Sequence, residues 1–277
     1  MQTAAREMSP SHPTLNAARL LKRSGQIWFF VAAIGQWAFV AYIMAFYVPL
    51  LAGKGLPGLD ESHLPDGFVA GDLIGNLAIA AHILVAIVII GGGPLQLIPS
   101  LRTRFPAFHR QVGRTYLFFS FFTSIAGLYL VWTRGVLGGL AGHLAISLDA
   151  VLILSFGSLA IYFATKRQFD RHRRWAMRLF MVVSAVWFFR VGMMFWFATT
   201  GGIGIDTATF SGPFIYTWYF GQMALPLLIL EFYFWASAAR RRDIWKFAAT
   251  ATVLAATIAM SIGIFAAIVG MWLPRIV

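Results

Sequence analysis

The sequence predicts an all-α integral membrane protein of about seven transmembrane helices, with a four-helix core bundle made by spans two to five. Three observations carry this expectation. Of the residues, 59% are hydrophobic and only 12% charged, about half the charged fraction of a soluble domain. Runs such as 27–52 and 247–273 exceed the roughly 20 apolar residues a helix needs to cross the hydrocarbon core. The basic residues also gather in alternate loops, as the positive-inside rule requires of a polytopic protein.

Hydropathy places the spans at 26–52, 69–98, 109–132, 142–164, 175–199, 211–236 and 247–273. They make one polytopic domain, 26–273, preceded by a polar, basic segment, 1–25, that contains His12. The first apolar run is too long for a signal-peptide core, so no cleaved signal is expected. With that segment cytoplasmic, the inner loops collect Arg6, Arg19, Lys22, Arg23, Arg102, Arg104, Arg110, Arg114, Lys166, Arg167, Arg171, Arg173, Arg174, Arg178, Arg240, Arg241, Arg242 and Lys246. The outer side keeps Lys54, Arg134 and Arg275 beside Asp60, Glu61, Asp66, Asp72 and Asp206, and His63 shares a loop with them. The expected topology is a multi-pass protein of the bacterial inner membrane, N-terminus in and C-terminus out. A net charge of +12 would suggest nucleic acid in a soluble protein. Here the clustering assigns it to topology and anionic membrane lipid, and no nucleic-acid partner is expected. The sequence is compatible with a homodimer. It contains no cysteine, which excludes disulfides, thiolate metal sites and cysteine nucleophiles.

Short loops between spans two and five make those helices sequential antiparallel neighbours. Within this core, 69–199, a two-helix unit recurs. One copy runs from Ala81-His82 to Arg104-Phe105, His109-Arg110 and Arg114; the other runs from Gly142-His143 to Arg167-Gln168-Phe169, His172-Arg173 and Arg178. Both copies start on the outer side, which makes them parallel repeats with shared sites expected between them. A chance match of a few residues is the bland alternative.

The repeat carries four histidines. A single intramembrane histidine is more often a packing or proton-relay residue than a ligand, but these four are paired by position. His82 and His143 fall in the outer part of spans two and four; His109 and His172 fall at the inner ends of spans three and five. From His82 to Pro99 is 17 residues, roughly 25 Å along a helix, so two sites stacked across one membrane are expected. Facing neutral imidazoles in an apolar bundle suit b-type haem, whose iron takes two axial histidines and passes electrons. The expected ligand set is therefore His82 with His143 and His109 with His172, holding two haems. Small residues at helical spacing, Ala78, Ala86, Gly113, Ser147, Ala150 and Ala176, would admit a flat ring, although ordinary helix packing explains each equally well. Arg110, Arg114, Arg173, Arg174 and Arg178 offer guanidinium groups for propionates. Arg190, deep in span five, needs a partner at that depth: an outer propionate, or a structural ion pair with Asp149. Glu231 is a weaker candidate for proton handling.

The run from His82 through Gly93-Pro94-Leu95-Gln96, then His109-Arg110-Gln111-Val112-Gly113-Arg114-Thr115-Tyr116 and His172-Arg173-Arg174-Trp175, resembles a bacterial family of predicted membrane proteins, domain of unknown function 2306. The resemblance covers roughly 70–200 and implies no activity. One histidine on each of four successive helices is similar to the di-haem transmembrane cytochromes of the b-561 class. That likeness implies pairing between alternate helices and electron transfer from ascorbate or quinol. Seven spans rather than six, and the basic stretch around His172, depart from that class. The leading expectation is a di-haem b-type cytochrome, a transmembrane oxidoreductase fed by quinol or a small cytoplasmic reductant. The alternatives are a haem-free transporter or proton-pathway protein and an accessory membrane subunit.

Overall fold

Asn16 starts the first helix: its side-chain oxygen accepts the Arg19 N–H at 3.1 Å, which satisfies one of the free donors of the first turn. In the computed structural model, which describes residues 16–277 apart from 63, 65 and 239, helix α1 runs Ala17–Lys54. Arg19, Lys22 and Arg23 thus stand on α1, ahead of the expected start at 26, because Leu21 and Ser24 are buried there, Leu21 against Ala236 and Ala249. Arg6, His12 and His63 lie outside the described residues.

The remaining helices follow in order: α2 (Leu73–Leu97), α3 (Pro99–Arg104), α4 (Pro106–Arg134), α5 (Gly139–Thr165), α6 (Phe169–Val183), α7 (Ala185–Thr200), α8 (Pro213–Ala236) and α9 (Asp243–Ala267), the last continued by one π turn at Ile268–Trp272. Six of them are long and apolar enough to cross a bilayer, and the bent pair α6–α7 makes a seventh if it counts as one span. The chain is an all-α integral membrane protein. Large apolar side chains such as Phe30, Phe118 and Leu228 stand outward, as hydrocarbon requires of a protein whose solvent is lipid.

Helices α2, α4, α5 and α6 pack in sequence as antiparallel neighbours, and α1, α7, α8 and α9 close around them. The α2–α4 hairpin is clamped at one end by charge. Arg134 donates to Asp72 Oδ2 from Nε (2.9 Å) and Nη2 (2.7 Å), and to Asn76 Oδ1 at 2.7 Å. Asp72 also caps α2, accepting the Gly75 N–H at 2.9 Å. That backbone bond, followed by Arg134, holds the Asp72 carboxyl below its ordinary value of 3.8. A depressed carboxylate pKa gives stability that is complete above the unfolded value and fades as pH falls through the folded one. Asp72→Asn is therefore expected to lower the thermal midpoint at pH 7, and the gap from wild type is expected to close as the pH is taken well below 3.8. Equal gaps at both pH values would show that the cap and clamp carry no charge.

The span expected to run straight over 175–199 is instead bent by 54° between α6 and α7. Ser184, at the break, leaves helical geometry (φ −84°, ψ 1°), and its Oγ accepts the Gln36 amide of α1 at 2.8 Å. Both residues are buried. The backbone at the break stays satisfied, since the Ser184 N–H donates to the Phe180 carbonyl at 3.1 Å and its carbonyl accepts the Phe188 N–H at 2.9 Å, as lipid surroundings require, while α1 holds its side chain. Trp187, fully buried just beyond the break, donates to the Gly35 carbonyl at 3.3 Å.

Candidate functional site: a histidine-lined cavity

Two short turns bring His109 and His172 together. Phe105 and Pro106 restart the chain after α3, so His109 stands in the first turn of α4, its N–H on the Phe105 carbonyl. Arg167 takes a left-handed conformation (φ 56°), which turns α6 tightly back on α5. His172 then reaches across, and its Nδ1 lies 2.9 Å from the Ala160 carbonyl. That carbonyl can only accept, so Nδ1 carries the proton and Nε2 keeps its lone pair.

Both imidazoles line one cavity of about 860 Å³. Its basic end is completed by Lys22, Gln96, Arg102 and Arg173, and by the small residues Gly93, Gly113 and Ala176. Gln96 is the group that fixes His109. With its nitrogen turned to the ring, it donates to His109 Nδ1 at 3.3 Å and to the His109 carbonyl at 3.2 Å, while its oxygen accepts the Gly113 N–H at 3.3 Å. A Cβ on Gly113 would stand 2.9 Å from the tip of the Gln96 amide, so the glycine makes room for it.

Of the five arginines expected around the inner histidines, only Arg173 lines the cavity. Arg110 and Arg114 stand on the exposed face of α4. Arg174 lies over the Phe234 ring at 5.5 Å. Arg178 pairs with Glu231 at 2.6 Å and lies over Trp175 at 4.5 Å, which also makes Glu231 an ion-pair partner. Lys22 and Arg102 line the cavity instead. Lys22 comes from α1, outside the repeat, and Arg102 from the short α3 inside the first copy.

The outer histidines do not line this cavity. His82 is packed beside Gly127 of α4, and its Nδ1 is buried without a partner. His143 has Nδ1 2.8 Å from its own Gly139 carbonyl and meets the edge of Trp132 at 5.3 Å. Their neighbours on α4, Gly127 and Trp132, are five residues apart.

Arg190 does not form the expected ion pair with Asp149. The ion pairs among the described residues are Lys54–Glu61, Arg134–Asp72, Arg178–Glu231 and Lys246–Asp243. Arg190 donates to the Val186 carbonyl at 3.1 Å and lies over the Phe39 ring at 5.3 Å. Tyr42, Tyr47 and Arg275 surround it. Asp149 Oδ1, on α5, is buried and unpartnered. Helix α7 packs on α9 and α8, away from α5, which separates the two charges.

The donor set can be tested against a b-type haem. Among the described residues no group of three or more histidine or carboxylate side chains could hold a bare metal ion, but a porphyrin brings its own nitrogens and asks the protein for two axial ligands. At the inner site His172 presents a free Nε2 with its Nδ1 fixed by a carbonyl, the usual arrangement of a ligating histidine. Three cations and a floor of small residues suit propionates and a flat ring. His109 fits less well, because the Gln96 amide donates to its Nδ1 and leaves the proton on Nε2; ligation would need that amide to turn its oxygen to Nδ1–H and give up its bonds to the His109 carbonyl and the Gly113 N–H. The outer pair, His82 and His143, lies outside this cavity.

Fold and site together define a polytopic α-helical membrane protein with a cation-rimmed, two-histidine cavity. Residues 79–218 match the family described as predicted membrane protein, DUF2306, and the chain belongs to that family. Comparison with curated proteins and with solved structures gives no match.

If Gln96 sets the protonation of His109, Gln96→Leu is expected to weaken retention of a ligand on His109 by about 10- to 100-fold, the usual cost of losing a group that orients a metal ligand. Gln96→Glu, which restores an acceptor for Nδ1–H, is expected to recover most of it. Titration of both purified variants with haem reads the effect; equal affinities would remove Gln96 from the site.

Proposed function

We propose that this protein is a b-type membrane cytochrome, in which His109 and His172 are the axial ligands of an inner haem. One observation carries the reading: two imidazoles from different helices open into one cavity that also gathers Lys22, Arg102 and Arg173. When bound, the haem supplies a one-electron couple. The chain's own residues do the rest. His172 is held in the ligating tautomer by Ala160, Gln96 orients His109, the cations hold the propionates, and the apolar walls exclude water. Arg190, in the span that follows His172, would be the cation available to a second, outer haem on His82 and His143. That second centre would make the protein a transmembrane electron carrier fed by quinol or a small cytoplasmic reductant.

The same reading places the basic end in the bacterial cytoplasm, on the strength of the eighteen-to-three division of basic residues between alternate loops. A C-terminal reporter active only outside the cytoplasm supports that orientation, and strong cytoplasmic activity reverses it. The functional reading is tested by haem content. Protein purified after expression with ample haem is expected to carry at least one non-covalent haem per chain by pyridine haemochrome assay. Protein that stays colourless and does not take up added haem would favour the haem-free transporter.

A further inference from the structure

The histidines occupy only one end of the cavity. The rest is an apolar arm running between α1, α7, α8 and α9, walled by residues such as Trp28, Phe188, Pro226, Ile229, Ala256 and Met260. At its far end Trp196 and Trp218 add no free donor, because their indole N–H groups already serve the Ile203 and Phe189 carbonyls at 2.7 and 3.1 Å. Nothing in the arm asks for a polar ligand.

The arm is open sideways. Phe30 of α1 and Leu225 of α8 line it, yet are 65% and 48% exposed, and α1 and α8 do not pack against each other along their length. The opening therefore faces the lipid. Its mouth toward the basic end carries Lys22, Gln26, Arg173 and Tyr233, and no carboxylate lines the cavity. A hydrocarbon chain would meet only apolar walls inside, while a negative head would meet two cations at the mouth.

We propose that this arm holds one acyl chain of an anionic phospholipid, entering between α1 and α8, with its phosphate held by Lys22 and Arg173. Haem propionates at the histidine end and a lipid phosphate at the mouth share the same cationic rim, so Arg173 serves both. The lipid site stands on the arm and its charges and does not depend on the haem reading.

The test is native mass spectrometry of the full chain, purified in mild detergent and exposed to dioleoylphosphatidylglycerol or dioleoylphosphatidylcholine. One phosphatidylglycerol per chain is expected to survive activation that strips phosphatidylcholine. Lys22→Gln is expected to weaken its retention about fivefold, the worth of one cation near an anionic lipid. Ala256→Phe and Ala259→Phe, which fill the arm from α9, are expected to abolish retention while elution volume and helicity stay as in wild type. Equal retention of both lipids, or retention unchanged by either filling substitution, would overturn the site. Recovery of a long-chain quinone in place of phospholipid would overturn the occupant. Haem content is measured in the same samples, so a colourless protein that still retains phosphatidylglycerol separates failure of the cytochrome reading from failure of this one.

Discussion

Alanine at His172 is expected to remove the inner haem signal almost completely, and alanine at His109 to do the same, whereas alanine at His143 leaves that signal in place. The asymmetry follows from geometry. His109 and His172 share a cavity, so under the proposed reading each would hold the haem iron from its own helix and neither could be replaced by a neighbour. His143 is tied to its own helix backbone and to Trp132. Absorbance and low-temperature electron paramagnetic resonance of the purified variants read the result, since a bis-imidazole iron is low-spin and a singly ligated one is not. Retention of a low-spin signal in His172→Ala would show that His172 is a packing residue held by Ala160.

The second large effect is structural. Gly35 lies where α1, α7 and α9 meet. A Cβ there would stand 2.5 Å from Ile264 Cδ1 and 2.7 Å from Trp187 Cζ2. Ile264 can turn aside, but Trp187 is fully buried and donates to the Gly35 carbonyl. Gly35→Val is therefore expected to cost about 1–3 kcal/mol or more, as overpacking of a dense core does, seen as a lowered thermal midpoint in detergent. Trimming Ile264 to Ala in the same chain is expected to recover part of that loss, because residues in contact couple. Additive losses would place the strain elsewhere.

The fold was legible because lipid imposes simple rules. Long uncharged runs and alternating arginine-rich loops marked the six unbroken spans and the bent α6–α7 pair, and the short loops marked the antiparallel order of α2, α4, α5 and α6. The break at Ser184 was not legible, since serine is common in spans and the partner that stabilises the bend, Gln36, lies 148 residues away. The same limit applied to the site. Helical position was enough to bring His109 and His172 to one end of the bundle. It could not say that Arg110 and Arg114 stand away from the cavity while Arg173 reaches its rim, because the rotation of each helix is set by packing that a run of basic residues does not reveal. Lys22, Arg102 and Gln96 reach the cavity from three separate elements, and their proximity appears only when α1 and α3 are placed. Arg190 was rightly marked as needing a partner at its depth. It is met by a carbonyl, an aromatic face and two nearby tyrosines, options that a search for carboxylates passes over.

The most direct test of the central claim is the visible spectrum of the purified wild-type protein, air-oxidised and then dithionite-reduced. The account predicts a sharp reduced α-band of a low-spin b-type haem, diminished in His172→Ala. A protein expressed with ample haem that shows no such band in either state would contradict it.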